Sequence, residues 1–462
     1  MRNVSKVLGR TAVAVLGIAT GVYIERRLEN RDKLLHPPSS NVPSSSQEVP
    51  RLDPPIGYAF ELPTPMTAEE VTTVLNKEAF FYKVQGSGNV QRYFGTRIAS
   101  NSPSEDYFVH GRFKSPFGPG EDWMAWGVFD GHAGWETAAL LTEHLIPHVQ
   151  RGLANITNIL LGGEEVAGTL NSTIDAAIKS AFLELDDNLV KQAPTIAASA
   201  APFAEKVSRL IPGYAGSCAL LSLYDPATNL LRVACTGDSR AVLGRQLHDG
   251  TWETVELSAD QTPKNLDEAA RLNKEHPNEP EMLKGDRVLG IMVSRAFGDG
   301  RWKLDQKTQE EAKKKYNGPA PRPNFQTPPY LTAEPVITTT HIDLENPSFL
   351  ILASDGMWDM MSSSQAVDLV NKWLSWKSSG KKPQQESLKS DPFDFDIWEK
   401  AGWKINGNTI VFEDDNVAVH LARNALGGSH HDKISGLLSF KPTRSRNARD
   451  DLTVQVIFFG QS

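Results

Sequence analysis

Apolar residues in this chain fall into two kinds of run. Short, nearly unbroken blocks occur at Trp123–Phe129 and at 218–224, 231–236, 241–245 and 349–353, with a last one at Leu452–Phe459. They are rich in β-branched and aromatic residues and are bounded by turn formers, which predicts strands. Elsewhere the apolar positions recur every three to four residues. Leu140, Leu141, Leu145 and Val149 do so over 136–149, and Ile174, Ile178, Phe182, Leu185 and Leu189 do so in a longer segment, the period of helices with one buried face. Thr67 with Glu70 forms a capping box ahead of Val71, Val74 and Leu75, and Asn265 with Glu268 caps another helix. Two further helices are predicted over 365–376 and 416–425. Strands and helices do not alternate regularly, so layered sheets flanked by helices are favoured over a doubly wound parallel sheet.

The amino terminus differs from the rest. Residues 1–24 hold no acidic side chain but include Arg2, Lys6 and Arg10, and an apolar run over 11–24 closes on Glu25-Arg26-Arg27. Segment 1–36 resembles a mitochondrial targeting segment, so a mitochondrial protein is expected, in the matrix or associated with the inner membrane, with matrix versus intermembrane space left open. The run over 11–24 is short of the roughly 20 residues of a spanning helix, and cleavage or retention as a membrane anchor both stay open. Residues 37–55 form a Pro/Ser-rich linker. A single folded unit is expected over 56–462, with insertions near 300–330 and 378–414, the latter carrying the acidic run from Asp391 to Asp396.

Composition narrows the function classes. The 462 residues are 40% hydrophobic and 23% charged, enough apolar mass for a large core, and the net charge of −8 argues against a nucleic-acid partner. Cys218 and Cys235 are the two cysteines, too few for a disulfide framework or a zinc ligand set.

Four aspartates stand at the edges of predicted strands: Asp130, Asp238 and Asp355 just after them, and Asp450 just before the last. Each alone reads as an ordinary polar turn. Together they make an all-oxygen donor set suited to hard cations such as Mg²⁺ or Mn²⁺.

The ordered set Ser104-Glu105-Asp106, Val128-Phe129-Asp130-Gly131-His132-Ala133-Gly134, Thr236-Gly237-Asp238-Ser239-Arg240, Val293-Ser294-Arg295-Ala296-Phe297-Gly298-Asp299, Ala353-Ser354-Asp355-Gly356-Met357-Trp358-Asp359 and Arg449-Asp450-Asp451 resembles the metal-dependent Ser/Thr protein phosphatases, the protein phosphatase 2C family. Two blocks, 101–106 and 327–335, resemble its pyruvate dehydrogenase phosphatase branch. The resemblance implies an α+β fold, a four-layer α-β-β-α sandwich of two antiparallel sheets flanked by helices. It implies hydrolysis of phosphoserine and phosphothreonine by a metal-activated water, with two Mg²⁺ or Mn²⁺ ions and a third in some members. Asp130 would bridge the pair, helped by the Gly131 carbonyl; Asp355 and Asp450 would ligate the other metal, and Glu105 and Asp106 would hold metal-bound waters. Asp238 and Asp359 match the weaker third position. His132 would protonate the departing oxygen, while Asp299 and Arg295 are expected to be mainly structural.

Many members grip the substrate phosphate with an arginine where this chain has Asn101, which leaves Asn101 or Arg97 as candidates. The implied partner is a phosphoprotein, in this branch the pyruvate dehydrogenase complex, reactivated through its alpha subunit. Two alternatives are a phosphatase for other mitochondrial phosphoproteins and a catalytically dead scaffold; the latter is disfavoured because the expected carboxylates are all present. No Cys-x5-Arg loop exists, which excludes a thiol phosphatase.

Overall fold

Apolar residues on both faces of a strand require something to cover each face, and that requirement builds this molecule. The computed structural model describes residues 65–460 apart from 87–88, 118–119, 162–168, 381–403 and 443. The targeting segment, the linker and most of the 378–414 insertion lie outside the described residues. Within them no helix is long and apolar enough to cross a membrane.

The strands, in chain order, are β1 Phe80–Lys83, β2 Val90–Ile98, β3 Tyr107–Phe113, β4 Trp123–Phe129, β5 Gly131–His132, β6 Gly216–Ser217, β7 Ala219–Asp225, β8 Leu230–Thr236, β9 Arg240–Gln246, β10 Trp252–Glu256, β11 Leu283–Lys284, β12 Arg287–Val288, β13 Phe297–Gly298, β14 Val336–His341, β15 Ser348–Ala353 and β16 Leu452–Phe459. Two large antiparallel sheets result. One has six strands in the order β1-β2-β16-β15-β9-β10, the other five in the order β14-β8-β7-β4-β3. A three-stranded ribbon, β13-β6-β5, lies beside the second.

The period-2 alternation of a strand sorts the side chains into layers. On β4, Met124, Trp126 and Val128 join the core between the sheets, while Trp123, Ala125 and Phe129 face the helices Glu136–Leu161 and Leu170–Val190. On β15, Leu350 and Leu352 enter the same central core, and Phe349, Ile351 and Ala353 meet the helices Ser363–Ser378 and Val417–Leu426 on the opposite side. The architecture is therefore the four-layer α+β sandwich that the resemblance implied. Burial of Trp126, Tyr224 and Leu352 between the sheets, all fully covered, contributes about 1.5–3 kcal/mol for each large side chain.

Element limits follow the pattern closely where a cap is present. Thr67 and Glu70 make the reciprocal capping box at the helix Ala68–Leu75, and Asn416 caps Val417–Leu426 through the amides of Ala418 and Val419. The helix begun at Glu136 runs on through Pro147 to Leu161, past the end at 149, because Leu153 and Ile156 continue its buried face. The 300–330 stretch forms the helices Gly300–Lys303 and Gln306–Tyr316, then a proline-rich return fixed by Tyr330, which is fully buried.

Candidate metal centre and proton donor

The two sheets converge at one end on a group of carboxylates. Asp130 follows β4 and its carbonyl accepts from the Cys218 amide at 2.8 Å. Asp238 follows β8 after Gly237, whose backbone at φ +110° fits glycine and whose absent Cβ would strike Cys218 Sγ. Asp355 follows β15 and opens the short helix Asp355–Trp358. One carboxylate oxygen from each of Asp130, Asp238 and Asp355 can be chosen so that all lie within 4.8 Å of one another. Gly131 belongs to the same corner: its amide donates to the Glu105 carbonyl at 3.1 Å, and any Cβ there would run into that oxygen.

Such a cluster is electrostatically unsatisfied on its own. Burial, then the charges of Asp355, Asp106 and Asp238, push the Asp130 carboxyl well above its ordinary range. Burial and the charges of Asp238, Asp359 and Asp106 do the same for Asp355, and burial raises Asp238. Asp130 Oδ2 is buried without a hydrogen-bond partner. Oxygen donors alone, mutual repulsion and an orphaned carboxylate oxygen fit a divalent hard cation.

The remaining predicted ligands surround this group in different states. Asp106 is buried, accepts from Ser354 Oγ at 2.7 Å, and is pushed up to about 7 by burial and by Asp451. Glu105 accepts from the Gly134 amide and from Asn101 Nδ2, each at 2.7 Å. Asp359 is exposed one helical turn beyond Asp355, to whose carbonyl its amide donates at 2.8 Å. Asp450, expected beside Asp355, stands outside the three-aspartate group; it is paired with Arg446 and accepts from the Asp451 amide at 2.7 Å. Asp238, expected at the weaker position, is in the group instead, because β4, β8 and β15 all end at this corner.

Neither phosphate-gripping candidate presents a free cation. Asn101 holds Glu105. Arg97 is committed to Glu78 at 2.7 Å and to the Asp106 carbonyl at 2.6 Å, so it braces the loop rather than facing a substrate.

His132 Nε2 lies 2.6 Å from Asp299 Oδ2; the imidazole is a quarter exposed and the carboxylate almost fully covered. The ribbon explains this pairing. β6 runs between β5 and β13, with Gly216 opposite both His132 and Gly298, and a Cβ at Gly216 would collide with His132 Nε2 and Asp299 Oδ2. Burial opposes protonation of His132, but the charge and hydrogen bond of Asp299 outweigh it and raise the imidazole above its ordinary value. An imidazole biased towards its protonated form beside a carboxylate cluster is suited to donating a proton.

Residues 99–389 match the family described as Protein phosphatase 2C. The chain belongs to that family. It is 40% identical over 394 residues to a protein phosphatase 2C homolog of Schizosaccharomyces pombe, covering 85% of this chain and 83% of the relative. It is 35% identical to the mitochondrial [pyruvate dehydrogenase [acetyl-transferring]]-phosphatase 1 of Saccharomyces cerevisiae, covering 84% of this chain and 72% of that one. The Homo sapiens protein of the same name is 29% identical, with 85% and 83% covered. The chain is thus a metal-dependent Ser/Thr protein phosphatase.

Two residues of this phosphatase gain a role that the sequence did not assign. Asp299, expected to be mainly structural, touches His132; its partner lies 167 residues away, so no local pattern reveals it. Asp451 takes the amides of Ser100, Asn101, Glu105 and Asp106 and so shapes the loop that carries both acidic residues. Burial raises its carboxyl, yet these bonds more than offset it and leave the pKa below the ordinary value. Arg295 is forked onto Glu268 at 2.7 and 3.0 Å.

Proposed function

We propose that this phosphatase hydrolyses phosphoserine and phosphothreonine in the alpha subunit of pyruvate dehydrogenase, in the mitochondrial matrix or at the inner membrane, and thereby reactivates that enzyme. The juxtaposition of the Asp130, Asp238 and Asp355 carboxylates with the His132–Asp299 pair carries the chemical part. The names of the yeast and human relatives, both mitochondrial pyruvate dehydrogenase phosphatases, support the substrate, as does the basic, acid-free amino terminus.

In this reading Asp130, the Gly131 carbonyl and Asp355 would hold two Mg²⁺ or Mn²⁺ ions, with Asp238 joining from within the three-aspartate group and Asp450 from outside it, Glu105 and Asp106 on bound water and Asp359 serving a third ion. Bound divalent ions supply charge neutralisation for the phosphoryl oxygens and an acidified water. The chain supplies the rest. Asp299 engages Nε2 of His132, which leaves Nδ1 to deliver the proton to the departing serine or threonine oxygen. A serine alkoxide is a poor leaving group, so that proton is needed as the bond to phosphorus breaks. Asp451 keeps Glu105 and Asp106 turned inward, and Gly131 lets the Glu105 carbonyl pack against the turn.

Removing the protein from mitochondria tests the substrate. Phosphorylation of the pyruvate dehydrogenase alpha subunit should rise, measured with phosphosite antibodies. Unchanged phosphorylation there, with a rise in other mitochondrial phosphoproteins, would instead support the alternative substrate reading.

A further inference from the structure

We propose that Arg301 and Arg322, both set over the ring of Trp302, form an anion subsite beside the catalytic centre that binds an acidic group flanking the scissile phosphoresidue. This rests on the phosphatase reading above and adds to it the charge of the substrate segment.

The Arg301 guanidinium lies 5.8 Å from the Trp302 ring centroid and that of Arg322 lies 5.0 Å from it. Both are within the range of a cation–π contact, so one buried ring draws two like charges together. Gly290, at φ +92°, leaves room for Arg322: a Cβ there would sit 3.1 Å from its Nη1. Among the described residues neither guanidinium has an ion pair or hydrogen bond, and the Nε atoms of both are buried without a partner. Burial and the charge of Arg322 both lower the Arg301 pKa, and no acidic side chain offsets them. Nearby acids are committed elsewhere. Asp186 takes Lys303 at 2.6 Å, Glu279 takes Tyr330 at 2.5 Å, and Asp305 caps Thr308 at 3.0 Å. Two guanidiniums set on one ring without a counter-ion offer N–H donors to carboxylate or phosphate oxygens.

The subsite adjoins the chemistry on two sides. The Trp302 amide donates to the Asp299 carbonyl at 2.8 Å, and the Asp299 carboxylate holds His132. Trp302 also shares a buried cluster with Cys218, whose thiol donates to Asp238 at 3.2 Å. With Asn101 uncharged and Arg97 paired to Glu78, these arginines offer a cationic feature next to the site that a substrate could use.

The test compares three phosphoserine peptides with the purified full chain in Mn²⁺: neutral flanks, glutamate flanks and a second phosphoserine flank. We expect kcat/KM for the anionic peptides to exceed that for the neutral one by about tenfold, carried by KM, the scale of a charge-assisted hydrogen bond. In the Arg301→Gln/Arg322→Gln double variant that ratio should fall to about one, while Arg301→Lys/Arg322→Lys keeps part of it. The preferred anionic flank identifies whether carboxylate or phosphate is the ligand. A ratio near one in the wild type, or an unchanged ratio in a folded double Gln variant, would overturn the subsite while leaving the phosphatase reading intact. Release from none of the three peptides would overturn the phosphatase reading and the subsite with it.

Discussion

Asp299→Asn removes a charge from beside His132 while keeping the size of the side chain. The carboxylate is almost fully covered and lies 2.6 Å from the imidazole. A charge-assisted hydrogen bond of this kind contributes about 1.5–3 kcal/mol relative to its loss, or about a tenfold to hundredfold change in rate. The loss should depend on the leaving group. On a phosphoseryl peptide, where the alkoxide requires a proton, kcat should fall by that factor. On 4-nitrophenyl phosphate, whose phenolate leaves without help, the change should be less than about threefold. The pH profile gives a second reading. The pair raises the imidazole above its ordinary value, so its acid form persists to higher pH in the wild type. The alkaline decline of kcat on the peptide should therefore move to lower pH in Asp299→Asn. Equal losses on both substrates with an unmoved pH profile would refute the positioning role and return Asp299 to the structural part first expected for it.

Two other substitutions probe the frame around the site. Glu268 is buried under Arg295, Arg271 and Ser294; burial raises its carboxyl, but those bonds prevail and hold the pKa at about 2, against an ordinary value of 4.5. A depressed folded pKa gives stability that is present above the unfolded value and lost as pH falls from 4.5 towards 2. Glu268→Gln should thus cost about 3 kcal/mol in urea unfolding at pH 7, with the gap to wild type narrowing by pH 3; a gap independent of pH would argue against it. Gly216→Ala places a methyl between His132 and Asp299. It should lower kcat on phosphoseryl peptide at least tenfold while Mn²⁺ binding, read by calorimetry, is retained.

The large strands were legible because their signal is local. Trp123–Phe129 and Leu452–Phe459 were read with their observed limits, since continuous apolar runs bounded by turn residues admit little else. What the runs hide is which strands meet. β16 lies between β2 and β15, and its pairing with β2 joins residues more than 300 positions apart, which no local periodicity encodes. The site divides the same way. Asp130, Asp238 and Asp355 show themselves as charges at strand ends, whereas Asp299 and Asp451 act through partners distant in sequence. Arg97 follows the same rule: it stands as a basic residue upstream of the acidic motif, and its partner Glu78 is set 19 positions away, which the motif itself does not show.

Phosphate release from a phosphoseryl peptide, measured with wild type and Asp130→Asn in EDTA and then in Mn²⁺, tests the central claim most directly. The carboxylate cluster predicts wild-type activity that is lost in EDTA, returns with Mn²⁺, and is at least about a hundredfold lower in Asp130→Asn. Release that persists in EDTA, or that survives the loss of the Asp130 carboxylate, would contradict a metal centre built on these aspartates.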